Sequence, residues 1–138
     1  MAMRRECLAM RVRQLNRRIT RLYDAALRPH GITTAQLNVL AALALAGDTR
    51  PTDVAAALAI EKSTLSRNLA RMIEREWVEV REEGPGTAQL LRLRSAGRRI
   101  VEQAMPAWRA AQRRAAKELD PALAAALVAS APREVPVS

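Results

Sequence analysis

Cysteine, membrane-length apolar runs and leader-like segments are scarce or missing in this sequence of 138 residues. Cys7 is the one cysteine, which excludes an internal disulfide framework and favours a cytoplasmic location. The apolar run "LNVLAALALAG" ends after about ten residues, which is too short to cross a membrane. The first residues, "MAMRREC", lack the apolar core that a signal peptide needs. We therefore expect a cytoplasmic protein with no membrane partner.

Aromatic residues and histidine are also rare. There is no phenylalanine, and the aromatic residues are Tyr23, Trp77 and Trp108. A protein that stacks unpaired bases on aromatic side chains is therefore disfavoured. The single histidine, His30, lies in a Pro-His-Gly turn, and no Cys/His cluster has the spacing of a zinc site. With no glycine-rich phosphate loop and no credible catalytic triad, the sequence predicts no metal, no cofactor and no enzyme.

Positive charge, in contrast, is abundant. The chain has 23 Lys and Arg against 14 Asp and Glu, a net charge of +9 and a pI of about 11.4. Such a balance favours a polyanionic partner, nucleic acid above all. The alternative is compositional, because Lys62 and Lys117 are the only lysines and an arginine-rich proteome raises the arginine count without any function. The charge total leaves both interpretations open.

The spacing of apolar residues predicts six helices and one β-hairpin. The helices are expected over residues 4–27, 33–46, 53–59, 63–75, 96–119 and 122–129, and the hairpin over residues 77–94. Thr33 or Thr34 is expected to cap the second helix, Ser95 the fifth and Asp120 the last, and Pro106 is expected to kink the fifth. The second helix is apolar on most sides, as a central buried helix would be, through Leu37, Val39, Leu40, Leu43 and Leu45. Only the turn "AIEK" separates the third and fourth helices. Two helices joined by a tight turn and followed by a hairpin form a winged helix-turn-helix, so the predicted fold is mainly α with a small β-hairpin.

The fourth predicted helix, which contains "STLSRNLARM", divides its residues between two faces. At about 100° per residue, one face is apolar and is expected to pack inward; it holds Leu65, Leu69, Met72 and Ile73. The outer face and first turn combine short hydroxyls with arginines: Ser63, Thr64, Ser66, Arg67 and Arg71. Short polar side chains let a helix approach base edges, and arginine donates to guanine or to phosphate. A solvated surface helix is the alternative, but the turn before it and the hairpin after it favour a DNA recognition helix.

Several stretches together resemble one known family. The stretch "TDVAAALAIEKSTLSRNLARMIEREWVEV" is followed by "LLRLRSAGRRI", which keeps a spacing of L-x-L-x-x-x-G. Upstream lies "LRPHGITTAQLNVL" and downstream "AMPAWRAAQ". In these residues the sequence resembles the MarR family of bacterial winged-helix transcriptional regulators, over nearly the whole chain.

The resemblance implies a homodimer that binds a near-palindromic operator in double-stranded DNA as a transcriptional regulator. We expect a repressor, with an activator as the alternative. Residues 4–30 and 96–130 then form the helical dimerisation region contributed by both termini, and residues 33–94 form the winged helix-turn-helix. The family's recognition positions correspond to Ser63, Thr64, Ser66, Arg67 and Arg71. A dimer would carry a charge of about +18, which favours salt-sensitive binding. Family members are commonly released from DNA by a small anionic or aromatic effector, or by cysteine oxidation.

The wing departs from the family pattern at its tip. Family wings carry an acid-x-Arg motif there, but this chain has Pro-Gly-Thr at residues 85–87, with Thr87 in place of the arginine. We therefore expect Arg81 on the first strand, with Arg92 or Arg94 on the second, to contact phosphate instead. In that case the wing positions the protein, and sequence discrimination falls on the recognition helix.

The end of the recognition helix departs from the family as well. The family usually has glycine there, and this chain has Glu76. If the backbone keeps a left-handed conformation at this point, glutamate costs about 1 kcal/mol relative to glycine.

Cys7, Tyr23 and Trp108 are the candidates for sensing. Cys7 lies near the start of the first helix among arginines, and some peroxide-sensing relatives use a cysteine there. A small buried residue at the dimer interface is the alternative. Tyr23 and Trp108 either pack in the core or wall a ligand pocket between the first, second and fifth helices.

Two other functions use the same features. A winged-helix module can bind a protein partner through its basic surface, so a protein-interaction module is one alternative. A basic amphipathic first helix can also lie on a membrane, but its apolar stripe is better used as a dimer seam.

Overall fold

The computed structural model describes residues 6–82, 84–86 and 88–130. The predicted order of elements is confirmed, with a one-turn 3₁₀ helix (Arg28–His30) after the first α-helix. The α-helices are α1 (Leu8–Leu27), α2 (Thr34–Ala46), α3 (Pro51–Ala57), α4 (Lys62–Glu74), α5 (Ser95–Glu118) and α6 (Pro121–Ala129), and the strands are β1 (Val78–Glu82) and β2 (Gln89–Leu93). In the described ranges no helix is both long and apolar enough to cross a bilayer. The fold is a winged helix-turn-helix between terminal helices.

The helix ends show which capping predictions hold. Thr33 caps α2 in a capping box: its hydroxyl accepts from the Gln36 amide, and the Gln36 side chain accepts from the Thr33 amide. Asp120 caps α6 by accepting from two amides of its first turn. The prediction for α5 is wrong, because Ser95 is its first helical residue and Arg94 stands at the N-cap without a side-chain cap. Helix α5 also continues through Pro106 without a break, so the kink stays a prediction.

Helices α3 and α4 end in the same way. In both, the residue after the C-cap has a left-handed backbone although it is not glycine: Ala59 with φ 51° and Glu76 with φ 58°. The Ile60 and Trp77 amides then reach back to carbonyls five residues earlier, which is the Schellman motif. The first of these motifs makes the tight turn of residues 58–61 that leads into α4. The sequence left open whether the backbone is left-handed at the family's glycine position; it is left-handed there, with Glu76 in that position.

The wing is fastened to the body by its second strand. Strands β1 and β2 are antiparallel, with Val78 opposite Leu93 and Val80 opposite Leu91. On its other edge, Leu91 exchanges two backbone hydrogen bonds with Thr49, of 3.1 and 2.8 Å. The loop between α2 and α3 therefore holds the hairpin in place.

The core surrounds α2, which is apolar on most sides as predicted. The large side chains that are fully buried in this core are Leu27, Val39, Leu40, Leu43, Val54, Leu65, Met72, Val78 and Leu91. Two apolar residues expected inside are not: Leu45 is 83% exposed and Ile73 is 40% exposed. Leu45 lies about 200° around α2 from Leu43, so it faces away from the core. Ile73 lies at the edge of the buried face of α4, next to Met72.

The packing around Gly97 explains why the L-x-L-x-x-x-G spacing ends in glycine. It is buried in the first turn of α5, against the backbone of Trp77. A Cβ at Gly97 would lie 2.3 Å from the Trp77 carbonyl oxygen, which is closer than any side chain tolerates. At the N-cap of the same helix, the Arg94 amide donates a hydrogen bond of 2.9 Å to the Trp77 carbonyl. The start of α5 can therefore approach the end of the recognition helix only without a side chain at residue 97.

Candidate nucleic-acid interface

Helix α4 presents two faces, as its sequence pattern predicts. Leu65, Leu69 and Met72 are buried against the core and fix the orientation of the helix. The opposite side is exposed at Ser63, Ser66, Arg67 and Arg71, while Thr64 is half-buried. Helix α4 begins one residue earlier than predicted, because Glu61 is its N-cap and Lys62 its first residue.

The first turns of α4 are organised by Thr64. Its hydroxyl accepts a hydrogen bond of 3.3 Å from Arg67 Nη2, and its carbonyl accepts one from the side-chain Nδ2 of Asn68. The first of these contacts holds the Arg67 guanidinium against Thr64, near the start of the helix. An arginine with donors to spare beside small hydroxyls suits a groove lined with acceptors. This part of α4 is the surface that the sequence assigns to DNA.

The arginines of the wing differ in what they contact. Arg92 forms a two-pronged ion pair with Asp48, with Nε–Oδ1 at 2.8 Å and Nη2–Oδ2 at 2.6 Å. Its hydrogen bonds and charge lower the pKa of the Asp48 carboxyl. Arg94 lies 3.6 Å from a carboxylate oxygen of Glu76. Arg81 is exposed and forms no ion pair within the part of the chain that the structure describes. Of the three wing arginines, Arg81 is therefore the one best placed for phosphate.

The wing tip carries no arginine where the structure describes it. Pro85 and Gly86 are exposed, and Gly86 has a left-handed backbone with φ 77°. Thr87, which stands in the place of the family's arginine, lies outside the described residues. The tip of the hairpin at residues 84–86 thus offers backbone and small side chains rather than a cation.

The sensing candidates lie apart from this surface. Cys7 is half-buried at the N-cap of α1, and its carbonyl accepts from the Arg11 amide. The Tyr23 and Trp108 rings have centroids 6.4 Å apart, tilted by 41°, and the Tyr23 hydroxyl donates to the Gln112 side chain. Burial raises the pKa of the Tyr23 phenol. Trp108 is partly buried against the core. Both interpretations of the two rings, core packing and the wall of a ligand pocket, stay predictions, as does redox sensing by Cys7.

An arginine-lined cleft was missed by the sequence analysis. It lies between the α1–α2 junction and the C-terminal half of α4, and has a volume of about 300 Å³. Arg28 lines one wall, and Arg71 and Arg75 line the other. Arg71, predicted to contact DNA, thus faces this cleft as well. No local pattern could have revealed the cleft, because its walls are more than forty residues apart in the sequence.

Metal binding has no support in the described ranges. In residues 6–82, 84–86 and 88–130, no three His, Cys, Asp or Glu side chains come together in a way that could hold an ion. His30 is half-buried in the 3₁₀ turn that follows α1.

The matches to known proteins agree with this geometry. The profile of the MarR family matches residues 30–87, the α1–α2 junction, the helix-turn-helix and most of the wing. The M. tuberculosis transcriptional regulator MosR is similar over the whole fold, with a TM-score of 0.78 and 29% identity, covering 89% of this chain and 91% of MosR. Over its helix-turn-helix region the chain is similar to the MarR family. No curated protein sequence matches the chain.

Two further MarR-family structures are similar to this chain. The oxidised form of MarR from E. coli has a TM-score of 0.71 and 27% identity, covering 87% of this chain and 88% of MarR. A cysteine-to-serine variant of the same protein, complexed with operator DNA, has a TM-score of 0.78 and 25% identity, covering 91% of both chains. MosR has also been crystallised with DNA. The chain is therefore grouped with transcriptional regulators rather than with enzymes.

Proposed function

We propose that this chain is a cytoplasmic transcriptional repressor of the MarR family from a bacterium. It binds a near-palindromic operator in double-stranded DNA as a homodimer and is released by a small ligand. The observation that carries the proposal is the outer face of α4. Leu65, Leu69 and Met72 bury its inner side in the core, while Ser63 and Arg67 are exposed on its outer side.

The contacts proposed for DNA divide between bases and backbone. Arg67 is assigned to base edges, with Ser63, Thr64 and Ser66 allowing the close approach that base contact requires. Arg71 and Arg81 are assigned to phosphates, which position the protein without reading sequence. Because Arg92 is paired with Asp48 and the described tip has no arginine, most of the discrimination falls on α4.

The homodimer is supported by apolar surface at the two ends of the chain. Leu8 is 78% exposed and Val12 63% on α1, and Val128 is 71% exposed on α6. Large apolar side chains exposed on a helix are surface that a protein partner can bury. A second copy of the chain would cover them and set two α4 helices against two halves of one operator.

The proposal is tested by fluorescence anisotropy on DNA from the intergenic region upstream of the gene. We expect specific binding that weakens steeply as salt is raised, because phosphate contacts release counterions. Arg67→Ala should cost about 1–3 kcal/mol of binding free energy if Arg67 reads a base. Arg21→Ala removes the same charge from an exposed position on α1 and serves as the matched control.

Two outcomes would contradict the proposal. Binding that does not respond to salt would favour a winged-helix module for a protein partner. Equal affinity of Arg67→Ala and Arg21→Ala for the operator would remove α4 as the reading surface.

A further inference from the structure

The net charge of the chain lies outside its winged helix-turn-helix. Residues 33–94 hold eight Lys and Arg and eight Asp and Glu, so their formal charges cancel. The whole net charge of +9 therefore belongs to the terminal regions, which the proposed function uses only to form a dimer. An arginine-rich composition does not explain this separation, because it would charge both regions alike. A polyanion attracted by the net charge meets the terminal helices first.

The second half of α5 carries a row of cations on its outer face. Arg109, Arg113 and Lys117 follow one another at steps of four residues, so they lie on one side of the helix and span about 12 Å. This side is opposite the buried Ala111, and all three cations are exposed. Residues 103–117 contain no acid, and no ion pair joins the three cations to any residue that the structure describes. We name these three residues the α5 cation row.

Contacts with α1 hold this part of α5 in place. The Tyr23 hydroxyl of α1 donates to the Gln112 side chain, and Arg18 of α1 forms an ion pair with Glu118. Glu118 follows Lys117 directly in the sequence, but its carboxylate is engaged by α1. The cation row is therefore fixed on a supported helix, and the nearest acid along α5 is paired elsewhere.

The row lies away from the reading surface. Helix α5 meets the end of α4 where Gly97 packs against the Trp77 backbone, and from there it runs along α1. Lys117 is twenty residues, or about 30 Å of helix, beyond Gly97. Exposed charges separated by more than about 8 Å are largely screened at physiological salt. The row therefore adds little to the contacts of α4 with an operator, and a polyanion bound there is a separate one.

The chemistry of this face suits a phosphate backbone better than a protein segment. Among the described residues, none of the exposed large apolar side chains lies on α5. Protein partners are usually anchored by apolar or aromatic side chains in well-packed pockets, and this face offers no such contact. Arginine and lysine side chains supply only donors, which phosphate oxygens accept. One strand of a duplex has a phosphate about every 3.4 Å along the axis, so the row spans about three of them.

We propose that the α5 cation row binds the phosphate backbone of a second DNA duplex, regardless of its sequence. A twofold interface sets a patch against its own copy, where these cations would repel one another, so the row stays uncovered in a dimer. A dimer then carries two rows and can join the operator held by α4 to another stretch of DNA. Binding of a duplex by the row stands without the operator, whereas the joining of two duplexes rests on the proposed function.

The joining is measured on upstream intergenic DNA that is fixed to a surface and saturated with the full chain. A labelled duplex of unrelated sequence is then added at increasing salt. Wild type should retain the labelled duplex at low salt and release it as salt rises. The triple variant Arg109→Gln, Arg113→Gln and Lys117→Gln should retain about tenfold less, while its affinity for the upstream DNA stays unchanged. No retention by wild type would overturn the proposal.

A second triple variant gives the matched control. Arg13→Gln, Arg17→Gln and Arg21→Gln remove the same charge from exposed positions of α1. Retention by this variant should equal that of wild type. An equal loss in both triple variants would show that total charge, rather than the row, attracts the duplex, and would overturn the site. Glutamine favours helix in both variants, so both should fold.

Titration of the free protein with the unrelated duplex separates the row from the proposed function. Each phosphate contact contributes about 0.9 to the slope of log affinity against log salt, so the α5 triple variant should lower that slope by about two to three. The α1 triple variant should leave the slope unchanged. If the upstream DNA is not bound specifically, the proposed function fails, and this titration still decides the row. Polyglutamate that displaces the duplex at equal charge from wild type, but not from the α5 triple variant, would assign the row to an acidic protein and overturn the proposal.

Discussion

The winged helix and the terminal helices differ in how far their apolar side chains are buried. In the winged helix, Leu40, Leu65 and Leu91 are almost fully buried by other parts of the same chain. At the two ends of the chain, Val12 and Val128 stay mostly exposed. The first region closes one core together with Leu27 of α1 and Ala104 of α5, whereas the second leaves large apolar side chains that the described residues do not cover.

Helix α1 shows the transition between the two within one element. Its apolar stripe is exposed at Leu8 and Val12, half-buried at Leu15 and Ile19, and fully buried at Leu27. The C-terminal end of α1 is thus anchored in the core next to the cleft. Its N-terminal end is left, together with α6, for the proposed partner copy. The apolar stripe of α1 extends beyond the core. Its C-terminal part is therefore buried, and its N-terminal part is free to contact a partner copy.

The largest effects are expected from substitutions at Leu40 in the core and Leu127 at the exposed end of the chain. Leu40→Ala removes a side chain from the closed core and should lower the free energy of unfolding by about 2–5 kcal/mol, because a cavity remains. Leu127 is 50% exposed, so Leu127→Ala should act mainly by weakening the dimer. Urea unfolding at two protein concentrations separates the two, since only the second variant should become more sensitive to dilution.

Sedimentation gives the independent control. Leu127→Ala should raise the dissociation constant of the dimer, and Leu40→Ala should leave the dimer constant of the remaining folded protein unchanged. If the wild-type protein sediments as a monomer and its unfolding does not depend on protein concentration, the two ends of the chain are not a dimer interface.

The sequence predicted those parts of the fold that depend on neighbouring residues. The order of elements, the Thr33 and Asp120 caps and the buried face of Leu65, Leu69 and Met72 all follow from local spacing. The possibility of a left-handed residue at Glu76 came only from the family resemblance. The prediction that Leu45 is buried was wrong. On a helix that is apolar on almost every side, the sequence does not indicate which side remains exposed.

The parts that could not be predicted join distant residues. Arg75 donates to Gly31, and Arg92 pairs with Asp48, each across 44 positions. In a chain this rich in arginine, nothing local distinguishes an arginine bound to a carbonyl from one bound to a carboxylate or to solvent. Exposed arginines such as Arg28 and Arg71 are therefore assigned to a site only once the fold brings their elements together.

A smaller effect is expected at the helix ends of the winged region. Glu76 and Ala59 both hold left-handed backbone conformations that a side chain disfavours. Glu76→Gly should therefore stabilise the fold by about 1 kcal/mol. The loss of the weak ion pair between Glu76 and Arg94 reduces this gain. Thermal unfolding measures the gain, and Ala59→Gly, which breaks no ion pair, is the matched variant. A loss of stability in both variants would mean that the entropy of glycine in the unfolded chain outweighs the relief of strain.

The smallest effect is expected where the wing meets the body. Arg92 lowers the pKa of the Asp48 carboxyl, so folding favours the ionised form. The stabilisation from this pair is present above the unfolded-state pKa of an aspartate and is lost as pH falls through the lower pKa of the folded state. Because both side chains are solvated, Asp48→Asn should lower the melting temperature only slightly at pH 7, and the difference from wild type should vanish in acid. Glu102→Gln removes a carboxylate elsewhere on the surface and should show no such convergence. Since Leu91 and Thr49 also hold the hairpin through backbone hydrogen bonds, a large loss at pH 7 would mean that the ion pair, rather than those bonds, fastens the wing.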